Sequence, residues 1–230
     1  MTAYLPFSES HDSPLQQWFS ATWDDYCALR DASALKHDKL AFNQGWLWVD
    51  MGGKGIKHAS FSDLFTSLLF LWAIQHPEQS LNSLGRCLLE KPPALACAPD
   101  LVLYIGDDFL RWRADNPRQV DLTTWRVPDL VGEISDMTLV SDLDEQKHLY
   151  EMLGIPEYWV IDVKGERVFA FLLNDQGQYQ LSEQSKVLAG LDIALLTQAV
   201  QKLKTGTNTS AAAWFAQVLA QSDQVTDEVF

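Results

Sequence analysis

Paired cysteines, basic charge and long apolar runs are all in short supply in this 230-residue chain, and each shortage removes a class of function. Cys27, Cys87 and Cys97 are odd in number and lack CxxC spacing, which excludes a disulfide framework and a zinc knuckle and points to a reducing cytoplasm. The longest apolar run, Leu68 to Ile74, is far shorter than the roughly 20 residues that a membrane span needs. The first residues, through Pro6 and His11, carry no basic-then-apolar signal pattern, so a soluble cytoplasmic protein with no membrane partner is expected. Lys and Arg number 17 against 31 Asp and Glu, a net charge of -14 that repels a phosphate backbone. Nucleic acid would have to be held by a local basic rim, for which Arg111, Arg113, Arg118 and Arg126 lie close together in the chain. There is no GxxxxGK[ST] loop and no GxSxG elbow, so the glycine-rich run Gly52 to Gly55 reads as a turn.

What the chain does have is a hydrophobic share of 47%, enough for one substantial core. Residues 1–40 read as a helical lead-in, amphipathic around Leu15 to Leu29; residues 41–204 as the core; residues 205–230 as a Thr/Asn/Ser linker and a short helix around Ala211 to Ala220. Large apolar residues on either side of Gly45 predict a hairpin over Lys39 to Met51. Phe61, Leu64, Phe65, Leu68, Leu69 and Trp72 recur at offsets of three and four, a helical face that His76-Pro77 ends. Strands are predicted at Leu84 to Leu89, Asp100 to Ile105 and Pro128 to Ser135. A helix is predicted from a Ser141 cap to Leu153, stopped by Gly154, and then a strand at Tyr158 to Ile161 and its antiparallel neighbour at Val168 to Leu173. A further helix runs through Leu191 to Leu203.

Two of those strands each contain one acid in a place where strands disfavour it: Asp100 in Pro99-Asp100-Leu101-Val102-Leu103, and Glu133 in Leu130-Val131-Gly132-Glu133-Ile134-Ser135. If the strands pair, the two carboxylates can converge and offer hard oxygen ligands to Mg (or Mn). The rival acid Asp129 is four residues from Glu133 on one strand, about 13 Å away at the strand rise, too far to share an ion comfortably, and reads as a strand-start residue. Ser135 lies on the same face as Glu133. On the following helix Leu143, Tyr150 and Leu153 define the inward face, with Gln146 near its centre and Lys147 about 60–80° to one side, from where its long stem could snorkel inward. His58, near the start of the long helix, is a possible accessory contact to phosphate or a metal-bound water. Asp107, Asp108 and Asp115 read as a solvated loop.

The run Pro128 to Ser135, then Asp142, Tyr150 and the block Gly154-Ile155-Pro156-Glu157-Tyr158-Trp159-Val160-Ile161-Asp162, resembles the Uma family of restriction-endonuclease-like proteins over about Leu40 to Leu203. The resemblance implies an α+β (α/β) restriction-endonuclease-like PD-(D/E)XK core, with a mixed central sheet flanked by helices. It matches Asp100 to the family's proline-aspartate motif and Glu133 to its second metal-binding acid. Two positions depart from the family's pattern. The helix lysine four residues before the tyrosine is Gln146 here, with Lys147 one residue late, and an acid often found before the hairpin glycine falls near Ala41. Ser135 stands where the commonest form of the fold has its catalytic lysine.

The expected function is therefore phosphodiester hydrolysis of nucleic acid, DNA in the first instance. Asp100 and Glu133 would hold the metal, Lys147 would steady the charge on the phosphorane, and a homodimer is the expected assembly. The alternative is a catalytically silent, acidic interaction module that keeps the fold, a reading favoured by the net charge and by Gln146.

Overall fold

A computed structural model describes residues 18–32, 39–50, 55–108, 111 and 119–227. In chain order the elements are β1 (Trp18–Ser20), α1 (Trp23–Asp31), β2 (Lys39–Asn43), β3 (Trp46–Asp50), α2 (Ile56–Gln75), β4 (Leu81–Ser83), β5 (Leu88–Lys91), β6 (Leu95–Cys97), β7 (Leu101–Ile105), β8 (Gln119–Asp121) and β9 (Leu130–Ser135). They continue with α3 (Leu139–Leu143), α4 (Glu145–Leu153), β10 (Glu157–Asp162), β11 (Arg167–Leu173), β12 (Tyr179–Ser182), α5 (Ile193–Thr205) and α6 (Asn208–Asp227). The strands form two six-stranded sheets, a first in the order β1-β3-β2-β6-β5-β8 and a second in the order β12-β11-β10-β9-β7-β4. Both are mixed: β5 runs parallel to β8, β9 parallel to β10, and the other neighbours are antiparallel.

Alternation along the strands decides how the layers stack. Leu130 and Ile134 of β9, with Leu101, Leu103, Trp159 and Ile161, turn to one side of the second sheet and pack on the apolar stripes of α2, α5 and α6. Val131, Val102, Tyr158 and Val160 turn to the other side, against Leu149, Tyr150 and Leu153 of α4 and against Ala41, Trp48, Leu89 and Leu95 of the first sheet. The outer face of the first sheet, through Leu40, Phe42, Leu47 and Val49, is covered by Tyr26 and Leu29 of α1. Each core aliphatic or aromatic side chain so enclosed contributes about 1.5–3 kcal/mol. Glu133, one step along β9 from two apolar neighbours, faces the space between the sheets. Lys39 and Ala41, two apart on β2, face the same space from the opposite side.

The mixed central sheet flanked by helices agrees with the sequence reading, as do the β2–β3 hairpin and the termination of α4. Gln44 and Gly45 both have positive φ (45° and 95°), the geometry of a two-residue hairpin turn, and Gly154 sits at φ 76°, in the left-handed region that ends helices. Several boundaries differ. Among the described residues of the lead-in, strand β1 precedes helix α1; the portion before Trp18 lies outside the described residues, as do Gly52, Gly53 and Lys54 of the expected turn. Of the strand predicted from Leu84 to Leu89 only Leu88 and Leu89 are strand, at the start of β5; Leu84 to Cys87 form the turn from β4, with Arg86 at φ 65°. The helix predicted from Ser141 is broken at Asp144, with φ -124° and ψ -87°, and Ser141 caps nothing. Of the expected linker, Thr205 ends α5 and Asn208 to Ser210 begin α6, where Thr207 and Ser210 satisfy each other's backbone N–H groups; this helix then places Ala211, Phe215 and Leu219 in the core beside α2.

Candidate active site

The antiparallel register of β7 on β9 pairs Leu101 with Gly132, so its next step sets Asp100 against Glu133. The backbone N–H of Asp100 lies 3.4 Å from Glu133 Oε2, and Asp100 Oδ2 accepts from the Ile134 N–H at 3.0 Å. Both carboxylates are withdrawn from solvent, Asp100 to 4% exposure and Glu133 to 1%. Two acids enclosed this far need compensating partners.

Lys39 supplies the main one. Its ammonium donates to Glu133 Oε2 from β2, while the Tyr150 hydroxyl donates to Glu133 Oε1 from α4. Thus the first sheet provides the cation and the helix provides the hydroxyl. Burial is the largest influence on Glu133 and pushes it up to about 8, with Lys39 pulling it down and Asp100 and Asp142 adding to the rise. Burial works against the charge on Lys39, but Glu133, Asp100 and Asp142 more than reverse it and hold the ammonium above the ordinary lysine value. Asp142, on α3, accepts from Ser135 Oγ and from Thr138 Oγ1, each at 2.6 Å, and burial raises it above the usual aspartate value.

Of the residues singled out in the sequence, the structure brings Asp100, Glu133, His58 and Ser135 together. His58 Nε2 lies 3.0 Å from Asp100 Oδ2, and Ser135 fastens Asp142. Gln146 is buried at 1% on the inward face of α4, with no hydrogen bond to its Oε1 among the described residues.

Lys147 goes elsewhere, a correction to the expectation. Its ammonium stands 5.0 Å from the centre of the Phe171 ring, on β11. That strand is separated from β9 by β10, about 10 Å across the sheet and on the side away from Asp100. The residue that the sequence reading missed is Lys39. A charged residue at a strand end gives no signal of a partner 94 positions away in another sheet.

Asp129 and Arg126 hold each other. Asp129 Oδ2 accepts from the Ile105 N–H at 2.7 Å and from Arg126 Nη1 at 2.9 Å, and Arg126 also donates to the carbonyls of Asp108 and Ile105. Arg126 is therefore a structural clamp for the start of β9. Asp108 is exposed on its loop; Arg113, Arg118 and Asp115 lie outside the described residues.

The family model described as "Uma2: Putative restriction endonuclease" matches residues 23–208, most of the chain. The chain belongs to this family. Among curated proteins nothing matches. One solved structure that it is similar to comes from Anabaena variabilis ATCC 29413 and is described as "a putative nuclease belonging to DUF820": 13% identical, spanning 85% of this chain and 99% of that one, with a TM-score of 0.49. Gln146, buried on α4, brings no charge to the cluster, and the ammonium that reaches Glu133 comes from β2.

A divalent cation, which restriction-endonuclease-like proteins generally use, can be tested against this donor set. Three buried carboxyl groups, Asp100, Glu133 and Asp142, share one cluster with one buried ammonium, that of Lys39. No group of three metal-ligating side chains occurs among the described residues. Two carboxylates with backbone carbonyls and water suit Mg²⁺, which keeps much of its hydration; with no thiol or histidine cluster, a softer ion is disfavoured.

Proposed function

We propose that this Uma2-family protein is a divalent-metal-dependent nuclease that cuts phosphodiester bonds, DNA being the first substrate to test. The observation that carries the reading is the convergence of Asp100 and Glu133 at the ends of adjacent strands with the Lys39 ammonium on Glu133. Asp100 and Glu133 would hold the metal. The chemistry such an ion would supply there is positive charge toward the phosphoryl oxygens and a lowered pKa for an attacking water.

The remaining work falls to this chain's own groups. Lys39, kept protonated by its acidic surroundings, takes the place that the sequence reading gave to Lys147 and opposes the negative charge that builds on the phosphorane. Tyr150 fixes the orientation of Glu133 through Oε1, leaving the Oε2 edge directed at Lys39 and Asp100. His58, bonded to Asp100, fixes the second carboxylate from α2.

The test is incubation of the full chain with single- and double-stranded DNA and with RNA, in Mg²⁺ or Mn²⁺. Asp100→Ala and Glu133→Ala should each remove cleavage, and Asp129→Ala should not. Lys39→Met should slow it by about 10²–10³-fold, the range for losing one electrostatic stabiliser. Cleavage that survives Asp100→Ala and Glu133→Ala would overturn the site. No cleavage of any substrate by the wild type would instead favour the silent interaction module.

A further inference from the structure

A cleft of about 470 Å³ opens on the solvent side of Asp100, between α2 and the turn joining β4 to β5. One wall is a single stripe of α2, from Ala59 through Ser62 and Thr66 to Phe70; the other is Ser83, Gly85 and Arg86. Asp100 is among the lining residues, and Arg86 is the one cation among them. The Arg86 side chain is 50% exposed, and its Nε stands 3.8 Å from Asp100 Oδ1. That is too long for a hydrogen bond, and the guanidinium makes none to the described residues.

The backbone that presents this side chain is tightly specified. Arg86 sits at φ 65°, a region in which a large residue is uncommon and glycine or asparagine is the easy choice. The turn is held by the Arg86 N–H donating to Pro99 O and the Cys87 N–H donating to Leu84 O, each at 2.9 Å. Gly85 packs so closely that an added Cβ would stand 2.7 Å from the Asp100 carbonyl oxygen. Nothing in the turn's own geometry calls for arginine. What arginine provides is a planar fork of donors beside a metal-site acid, at the mouth of a cleft, in a protein whose net charge of -14 otherwise repels phosphate. Phe70, 46% exposed on the same stripe of α2, offers a ring face about 16 Å along the helix from Ala59.

Resting on the nuclease reading above, we infer that this cleft receives the strand being cut, with Arg86 binding a backbone phosphate next to the one at Asp100 and Phe70 stacking on a base further along. Arg86 is a substrate-binding residue, and Asp63, exposed on the same wall, limits the affinity.

The experiment uses the full chain and fluorescein-labelled oligonucleotides, single- and double-stranded, followed by anisotropy in Ca²⁺ at several salt concentrations, with inorganic phosphate and mononucleotide as competitors. Arg86→Gln should weaken binding at least tenfold and reduce the magnitude of the salt slope by about 0.7–0.9, the loss of one phosphate contact. Asp63→Asn should tighten binding. Arg86→Gly should bind as weakly as Arg86→Gln yet melt a few degrees higher, because glycine relieves the left-handed backbone; that separates lost binding from lost folding. Wild-type affinity and salt slope in Arg86→Gln would overturn the inference while leaving the nuclease reading in place. Displacement of the oligonucleotide by equimolar inorganic phosphate would overturn it too, by showing a plain anion site. A wild type that neither binds nor cuts any oligonucleotide fails the nuclease reading and this inference with it.

Discussion

Replacing Lys39 with methionine tests whether a buried ion pair connects the two sheets. Methionine keeps the length and apolar stem of lysine and removes only the ammonium, so the packing between β2 and β9 is preserved. Glu133 is then left enclosed beside Asp100 and Asp142 with no cation. Breaking a buried pair in this way costs about 3–5 kcal/mol, or about 6–20 °C in the melting midpoint of a chain this size. The size of the loss should depend on pH. Below about 8 the folded protein keeps Glu133 protonated, and removing Lys39 costs only a charge-assisted hydrogen bond, about 1.5–3 kcal/mol. Above it, wild-type Glu133 is ionised and paired, whereas in Lys39→Met it must ionise alone or stay protonated against the solution. Urea unfolding of both proteins at pH 6 and pH 9 measures the difference, and Lys39→Met/Glu133→Gln should recover most of the loss at pH 9. A loss below about 1 kcal/mol, equal at both pH values, is what a solvated surface pair gives and would refute the reasoning.

Other outcomes follow from the same contacts. Glu133 is raised in the folded state from an ordinary 4.5 to about 8, so the native protein binds the extra proton between those values; wild-type stability should fall as pH rises from about 5 to 8, read by melts across that range. A metal ion held by Asp100 and Glu133 would compete with that proton, so the rise in melting midpoint caused by Mn²⁺ should be larger at pH 8 than at pH 6 and vanish in Asp100→Asn. Lys147→Ala should leave cleavage unchanged and cost about 0.5–1 kcal/mol for its contact with Phe171. Gly85→Ala forces the Asp100 carbonyl aside and should cost about 1–3 kcal/mol in unfolding while lowering activity, since it moves the backbone that carries the acid.

What was legible in the sequence was what short-range pattern can encode. The spacing of Phe61 to Trp72 gave the buried face of α2, and acids set into apolar runs marked Asp100 and Glu133. The positions that misled are those where a distant contact overrides the local preference. The helix break at Asp144 follows Asp142, whose carboxylate is drawn to Ser135 and Thr138 and whose carbonyl accepts from the Tyr158 hydroxyl. None of these bonds shows in helix periodicity. Thr205 to Ser210 has linker composition, yet Thr207 and Ser210 form a helix start, because the same short polar side chains serve both purposes. Lys39 was invisible for a related reason: its partner lies in the other sheet.

Lys39 bears on the two positions where the sequence departs from the pattern that its resemblance implies. Ala41, near which that resemblance would put an acid, is the next residue after Lys39 on the same face of β2. Gln146, where the resemblance would put a lysine, is buried one helical turn before Tyr150, whose hydroxyl touches Glu133. In this chain the ammonium at the acid pair comes from the strand. A lysine at position 146 would be a second source of the same charge. Gln146→Lys alone should destabilise the fold, because it buries a second ammonium that the cluster must accommodate beside Lys39. Lys39→Met alone should destabilise it for the opposite reason. The double variant returns the cluster to one cation, so the two changes should offset each other by about 1–3 kcal/mol in a double-mutant cycle, and cleavage should recover in part. Effects that add to within about 0.5 kcal/mol would mean that position 146 does not reach Glu133, and the exchange of lysines would have to be given up.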